Sequence, residues 1–394
     1  MDFQWTDEQR MMKETVYKWA VKELGPIQEK IDEEDWFPPD FFKKCAEIGI
    51  LGITIAEEYG GLDGDILMQT LAVEEMSRIC PALGMTYGTH SNLCANNIHR
   101  NANPALKKRY LPPMVAGEKI GALALTEPNA GSDAMGIRTR AVKKGDRYIL
   151  NGSKIFITNG PIADILLVYA KTTPERGAKG ISAFIVEKDY PGYSVSRSLK
   201  KCGMRGSPTG ELVFEDCEVP EENLVGQLNM GVRVMTSGLD IERIVLAGGS
   251  IGMAQQALDY SIQYAVEREQ FGQPIANFQM IQQKLADMFA RTEAARLLLY
   301  RAAVMAQQAR RGGKGTELTK LAASAILLAS ETATWVCGQA VQIHGGYGYC
   351  LEFPVQKLWR DAKLYEIGAG TSEIRRMIIA RELTREEFAR KRHR

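Results

Sequence analysis

From Thr6 to about residue 116, apolar residues return every three or four positions, the spacing of helices that each bury one face. In the first run Thr6 is followed three residues later by Gln9, a reciprocal capping signal, and Met12, Val16 and Ala20 share one side. Further helices are predicted over residues 39–46, 65–77, 83–97 and 104–115, parted by Gly, Pro and Asn punctuation such as EEYGGLDGD. The pattern then changes. GALALTE, RYILNGSKIFITN, DILLVYAKT, GISAFIVEK and GELVFEDCEV are short, rich in Ile, Val, Tyr, Phe and Thr, and bounded by Gly, Asn or Pro, which predicts an antiparallel β-domain. Helical spacing resumes over 239–268, 278–310, 318–342, 354–365 and 371–388, interrupted by QIHGGYGY and GAGT. Each late helix has an apolar face that needs a neighbour, as a four-helix bundle provides. Gly312, Gly313, Lys314 and Gly315 predict a flexible turn within that bundle. The expected class is α+β, with a helical domain over 1–119, a β-domain over 120–228 and a helical domain over 229–394, and no internal repeat.

Composition narrows the range of functions. Of 394 residues, 45% are hydrophobic and 25% charged, too apolar for a disordered chain, and no uninterrupted apolar stretch is long enough to span a bilayer. With 49 basic and 48 acidic side chains the formal net charge is +1, so no global field draws a nucleic acid or a membrane surface. Seven dispersed cysteines without a C-x-x-C pair read as reduced thiols, not as a disulfide framework or a zinc site. MDFQWTDEQRMMKETV passes directly into a capped helix with no signal or transit pattern, and a cytoplasmic location is expected.

General motifs are few. There is no Walker loop, no G-x-S-x-G, no H-E-x-x-H, and His90, His99, His344 and His393 lack metal-ligand spacing, so no metal is expected. Three small-residue clusters and one carboxylate stand out. Residues 125–133, LTEPNAGSD, follow a strand; they read as a turn, or as backbone N–H groups with the Thr126 and Ser132 hydroxyls around a pyrophosphate or flavin edge. QIHGGYGY reads as a helix C-cap or as a close backbone approach to a cofactor. Gly368, Ala369, Gly370 and Thr371 lead into a last helix whose free N–H groups suit an anion or a carbonyl. Glu242, near the predicted start of a helix, reads as a solvated charge or, half-buried, as a general base.

LALTEPNAGSD, NGSKIFITNG, EREQFGQPIANFQ, QIHGGYGY and RDAKLYEIGAGTSEIRR, in this order, resemble the acyl-CoA dehydrogenase family, in particular its isovaleryl-type branch, over nearly the whole chain. The resemblance implies a flavoprotein oxidoreductase of fatty acid or branched-chain amino acid catabolism, with helical, β and four-helix domains, assembled as a homotetramer, a dimer of dimers. By position, Leu123, Leu125, Thr126, Ser132, Phe156, Ile157 and Thr158 would line one side of FAD, with Phe156 where many relatives have tryptophan. Arg268, Phe271, Gln279, Gln342, Gly345 and Gly346 would reach the FAD of a neighbouring subunit, Arg268 facing the pyrophosphate, and Thr371, Ser372 and Glu373 would complete that site.

Many members carry the catalytic glutamate in a Tyr-Glu-Gly-Thr segment, where this chain has Gly368, Ala369, Gly370 and Thr371. The isovaleryl-type branch places it on an earlier helix, in a segment like 239–243, which makes Glu242 the implied base; Glu366 matches neither position. The implied reaction is α,β-dehydrogenation of a saturated acyl-CoA, isovaleryl-CoA to 3-methylcrotonyl-CoA, with electrons passed to an electron-transfer flavoprotein. The backbone N–H of Ala369 and a ribityl hydroxyl of FAD would receive the thioester oxygen. Ser132, Tyr87, Leu93, Asp240, Arg243, Ala369 and Gly370 are the implied substrate contacts, and residues 85–93 part of the acyl wall. Arg233 stands where the nearest pattern has an aromatic residue; it reads as solvent-facing, or as a contact to CoA phosphate or to a distal carboxylate. Two alternatives are another branched, longer or aromatic acyl-CoA, such as benzylsuccinyl-CoA, and a non-catalytic flavoprotein that binds acyl-CoA.

Overall fold

The computed structural model describes residues 5–310, 312 and 317–392. Helices α1 (Asp7–Glu23), α2 (Gln28–Glu34), α3 (Phe41–Glu47), α4 (Ile66–Ile79), α5 (Pro81–Gly88), α6 (Asn97–Asn101) and α7 (Pro104–Val115) come first. Thr6 caps α1 through the expected reciprocal pair with Gln9. α4 is buried on nearly every side, between α1 and the long helix α8 (Gly231–Glu267), and its two glutamates need partners there. Glu74 accepts from Arg296 and Tyr300, and Glu75 pairs with Lys13 and Arg78.

The stretch predicted as one helix over 83–97 divides. α5 ends at Gly88, a π-helix runs over Thr89–Asn96, and α6 follows without a break. The wider turn leaves all of Thr89–Asn96 except Leu93 buried. His90 ties this segment to the next domain: its Nε2 lies 3.1 Å from the Met114 carbonyl, and its Nδ1 accepts from Gly121 N at 2.9 Å. Burial pushes this imidazole down to about 4, so it is neutral.

The sheet contains β1 (Gly121–Ala124), β2 (Arg140–Lys144), β3 (Arg147–Thr158), β4 (Ile165–Lys171), β5 (Ile181–Glu187), β6 (Tyr193–Ser198), β7 (Thr209–Pro220) and β8 (Leu224–Val225). Their order is β6-β7-β3-β2-β4-β5-β8, with β1 also on β4. The expected antiparallel domain is thus a mixed sheet: β1 runs parallel to β4, and β2 meets β4 in parallel at Arg140 and Lys171. Apolar alternation fixes which face of a strand is buried and is silent on strand direction, which depends on how the connections cross the sheet.

α8, α9 (Gln279–Arg310), α10 (Leu318–His344) and α12 (Ser372–Arg392) form the bundle, with the short α11 (Val355–Ala362) against α10. α8 begins at Gly231, ahead of the expected start at 239, so Glu242 lies inside the helix. Among the described residues α10 alone is long and apolar enough to cross a membrane, and its Ile326, Ala333 and Val336 sit fully inside the core shared with α8. Gly312 has φ +88°; the other three residues of the expected turn, and His393, lie outside the described residues.

Candidate active site and cofactor surfaces

Glu242 is half-buried, and its carboxylate has no hydrogen bond or ion pair among the described residues. Loss of water pushes its pKa up to about 7, and the neighbouring Arg243 pulls the other way. It shares a narrow cleft with Asn92, Leu93, Asn96, Asn97, Arg100 and Gly238. Asp240 is otherwise engaged, accepting from Arg243 Nη1 at 3.1 Å and from Thr319 Oγ1 at 2.7 Å. Glu366 is paired with Lys363 at 2.6 Å. Leu93 reaches the Glu242 cleft and Tyr87 does not. The Tyr87 hydroxyl is fully enclosed, donating to Ile50 O at 2.9 Å and accepting from Gln69 at 2.8 Å. Arg233 is exposed.

The loop before α12 has unusual backbone. Ala369 has φ +56° and Gly370 φ +91°, and the left-handed region costs a non-glycine residue roughly 1 kcal/mol. The turn is held from below: Arg375, fully buried, donates Nη2 to Gly368 O at 2.6 Å and Nη1 to Ser330 Oγ at 3.0 Å. Thr371 Oγ1 caps α12 by accepting from Ile374 N at 3.3 Å. Among the described residues the Ala369 N–H has no acceptor, and the buried Ser372 Oγ has no partner. Glu373 is exposed in the first turn of α12.

On the β-domain, Leu123 lies in β1 and Leu125 just beyond its end, both half-buried, while Ile157 packs in the sheet core. Phe156 sits in β3 with φ +61° and its ring 66% exposed. The hydroxyls of Thr126, Ser132 and Thr158 have no side-chain partner among the described residues. A pair that sequence reasoning missed fixes this surface: Lys154, with 0% exposure, donates to Glu127 Oε1 at 2.8 Å and to Leu125 O at 2.9 Å. Glu127 also accepts from Arg138 N, Thr139 N and Thr139 Oγ1, and Ile155 N donates to Thr126 O. The available signal was slight, a lysine inside the strand pattern NGSKIFITN.

A larger cleft of about 570 Å³ lies on the C-terminal domain, between the end of α8, the start of α9 and the end of α10. Arg268, Phe271, His344, Gly345, Gly346 and Tyr347 line it, and no β-domain residue does. Among the described residues the Arg268 guanidinium has no carboxylate partner, and it lies over the Tyr347 ring, 5.7 Å from its centroid. Phe271 is 93% exposed at φ +54°. A Cβ on Gly345 or Gly346 would meet open space, so the glycines leave the cleft floor bare while Gly345 N closes α10 on Gln342 O. Gln279 and Gln342 are exposed near the cleft ends of α9 and α10 without lining it. An unpaired cation with aromatic walls and bare backbone suits the adenosine diphosphate half of a dinucleotide.

Three family descriptions match in succession: acyl-CoA dehydrogenase N-terminal domain over residues 6–118, middle domain over 122–217 and C-terminal domain over 229–384. The chain belongs to the acyl-CoA dehydrogenase family. It is 49% identical over 383 residues to a Solanum tuberosum protein named mitochondrial isovaleryl-CoA dehydrogenase, covering 97% of this chain and 92% of that one. A second Solanum tuberosum protein, named mitochondrial 2-methylacyl-CoA dehydrogenase, is 48% identical over 96% of this chain and 90% of its own length. The butyryl-CoA dehydrogenase structure from Megasphaera elsdenii superposes with a TM-score of 0.94 at 41% identity, over 98% of this chain and 100% of that one. This acyl-CoA dehydrogenase is therefore a FAD-dependent oxidoreductase acting on acyl-CoA.

Proposed function

We propose that the protein oxidises a short branched acyl-CoA, converting isovaleryl-CoA to 3-methylcrotonyl-CoA, with Glu242 as the base. One observation carries this reading: position 369 is alanine, while Glu242 is a half-buried carboxylate without a partner and with raised basicity. An α-hydrogen of a thioester is a poor acid, so the carboxylate that removes it must be ionised, close and shielded from water. Its place inside α8 keeps most bulk water from Glu242, and Arg243 beside it favours the ionised form. Asp240 and Arg243 hold each other and would contact the CoA portion, with Ser132. The Ala369 N–H, presented by the Gly368 turn that Arg375 anchors, would donate to the thioester oxygen as charge grows there. FAD supplies a two-electron acceptor for the β-hydride.

The β-domain surface would face the flavin ring through Phe156, with Thr126, Ser132 and Thr158 as hydrogen-bonding groups. The C-terminal cleft has none of these residues in its wall, which supports a cofactor shared between subunits and a homotetramer. Reoxidation by an electron-transfer flavoprotein is the implied acceptor step, and a cytoplasmic location is retained. Domain boundaries fall at 119/120 and 228/229.

The test is stopped-flow flavin bleaching with isovaleryl-CoA. Glu242→Gln retains FAD and acyl-CoA binding and loses most of the reduction, whereas Glu366→Gln reduces normally. Near-normal reduction in the first variant, or selective loss in the second, overturns the assignment. Because the 2-methylacyl-CoA dehydrogenase is almost as similar as the isovaleryl enzyme, a panel of isovaleryl-, 2-methylbutyryl-, butyryl- and aryl-substituted acyl-CoA thioesters decides the substrate. A methylene is worth roughly 1–3 kcal/mol in such a pocket.

A further inference from the structure

The cleft beside Glu242 is badly matched to an aliphatic acyl tail. It encloses about 10 Å³, and apart from Leu93 and the bare Gly238 every residue that lines it is polar or charged: Asn92, Asn96, Asn97, Arg100 and Glu242. That volume accommodates one water, which needs two to four polar neighbours. Asn92, Asn96 and Arg100 follow each other at intervals of four along the π-helix and α6, so they form a polar line on one side of a buried segment. Asn92 and Asn96 are 4% and 5% exposed, whereas Arg100 is exposed, so the line runs from the interior to the surface. Asn96 Nδ2 donates to Asn92 Oδ1 at 3.3 Å, leaving Asn96 Oδ1 and Asn92 Nδ2 without a partner among the described residues. Asn97 is committed elsewhere, to Tyr169 and Asn101. Arg100 has no hydrogen bond or ion pair among the described residues.

We infer that this cleft holds one water and is the exit by which the proton taken up by Glu242 leaves for solvent. The inference rests on Glu242 being the base. After the α-proton has been transferred, the O–H bond on the Glu242 carboxyl breaks and a new O–H bond forms on the water. The hydronium passes its proton to bulk water at the Arg100 end, and the carboxylate is restored with no change of oxidation state. Asn92 and Asn96 act as positioning residues for that water. Gly238 keeps the passage open, because a Cβ there would stand 3.1 Å from Asn97 Nδ2.

The test follows the fate of the α-hydrogen, separately from the rate of flavin reduction. FAD-loaded enzyme is mixed anaerobically with isovaleryl-CoA deuterated at the α-carbon, and the recovered substrate is analysed by mass spectrometry for loss of deuterium to solvent. In the wild type a deuteron on Glu242 exchanges before it can return. In Asn96→Leu, which removes the amide, and in Gly238→Ala, which narrows the cleft, washout falls roughly tenfold while stopped-flow reduction changes less than about twofold. Unchanged washout in both variants overturns the inference. An altered preference for acyl-chain length with unchanged washout also overturns it and assigns the cleft to the acyl tail. Near-normal reduction in Glu242→Gln is the separate sign that the base itself is misassigned.

Discussion

Raising the pH from 6 to 8 titrates Glu242, and the structure sets both the size and the sign of two consequences. With a native pKa of about 7, the ionised fraction rises from about one-tenth to about nine-tenths across that range, so kcat/KM for isovaleryl-CoA rises about tenfold. The same carboxyl is an ordinary one in the unfolded chain, where its pKa is about 4.5. Below that value both states are protonated and the site costs nothing. Between the two values the unfolded chain ionises first, and above 7 the full cost, up to about 3 kcal/mol, is present. Glu242→Gln removes that cost. The variant should exceed the wild type in stability by up to about 3 kcal/mol at pH 8, the margin shrinking below about 1 kcal/mol at pH 5. Dye-linked turnover at subsaturating substrate gives the first quantity, and urea unfolding of both FAD-loaded proteins at the two pH values gives the second. A kcat/KM profile flat from pH 6 to 8, or a stability difference that does not grow with pH, would refute the reasoning.

Other consequences are measurable with single substitutions. Arg268→Ala should weaken FAD retention, read as cofactor loss on gel filtration, because a phosphate would lose a charge-assisted partner; unchanged retention sinks the two-subunit site. Lys154→Met leaves the buried Glu127 carboxylate without its cation and should lower stability by about 3–5 kcal/mol, part of which Glu127→Gln in the same chain restores; an unaltered urea midpoint contradicts this. Reduced enzyme should pass electrons rapidly to an electron-transfer flavoprotein and not to NAD, and efficient NAD reduction without that carrier would reverse the assignment.

The long helices were legible because each buries a continuous stripe, as in Leu321, Ile326, Ala333 and Val336 of α10. Strands β2 and β6 were not, since β2 buries only Ala141 and β6 none of its residues, which leaves no alternation to read. The true start of α8 was hidden by Thr236, Ser237 and Gly238, residues typical of a helix entry that here continue a helix already packed on the β-domain. Glu242 could be singled out from its segment, but its surroundings could not. The spacing of four that lines up Asn92, Asn96 and Arg100 was there to be read, but that this line faces Glu242 depends on how α8 packs against the π-helix and α6, which local sequence does not carry. Tyr87 and Leu93 stood together as expected substrate contacts, but six residues apart they face different ways, Leu93 to the cleft and Tyr87 into the core. Lys154 escaped notice because lysine in a strand ordinarily signals solvent, and only the fold shows that Glu127 and the Leu125 carbonyl wait for it.

The C-terminal cleft, with Phe271 almost wholly bare at its edge, would tie cofactor loading to protein concentration under the proposed shared site. If a second copy's FAD occupies it, assembly and cofactor binding are linked equilibria, and each strengthens the other by the same factor. Dilution would then shed flavin from a fully folded chain, and added flavin would hold the assembly together. Loss of yellow colour on dilution would report a parting of subunits, with no change in the cofactor's own contacts and no unfolding.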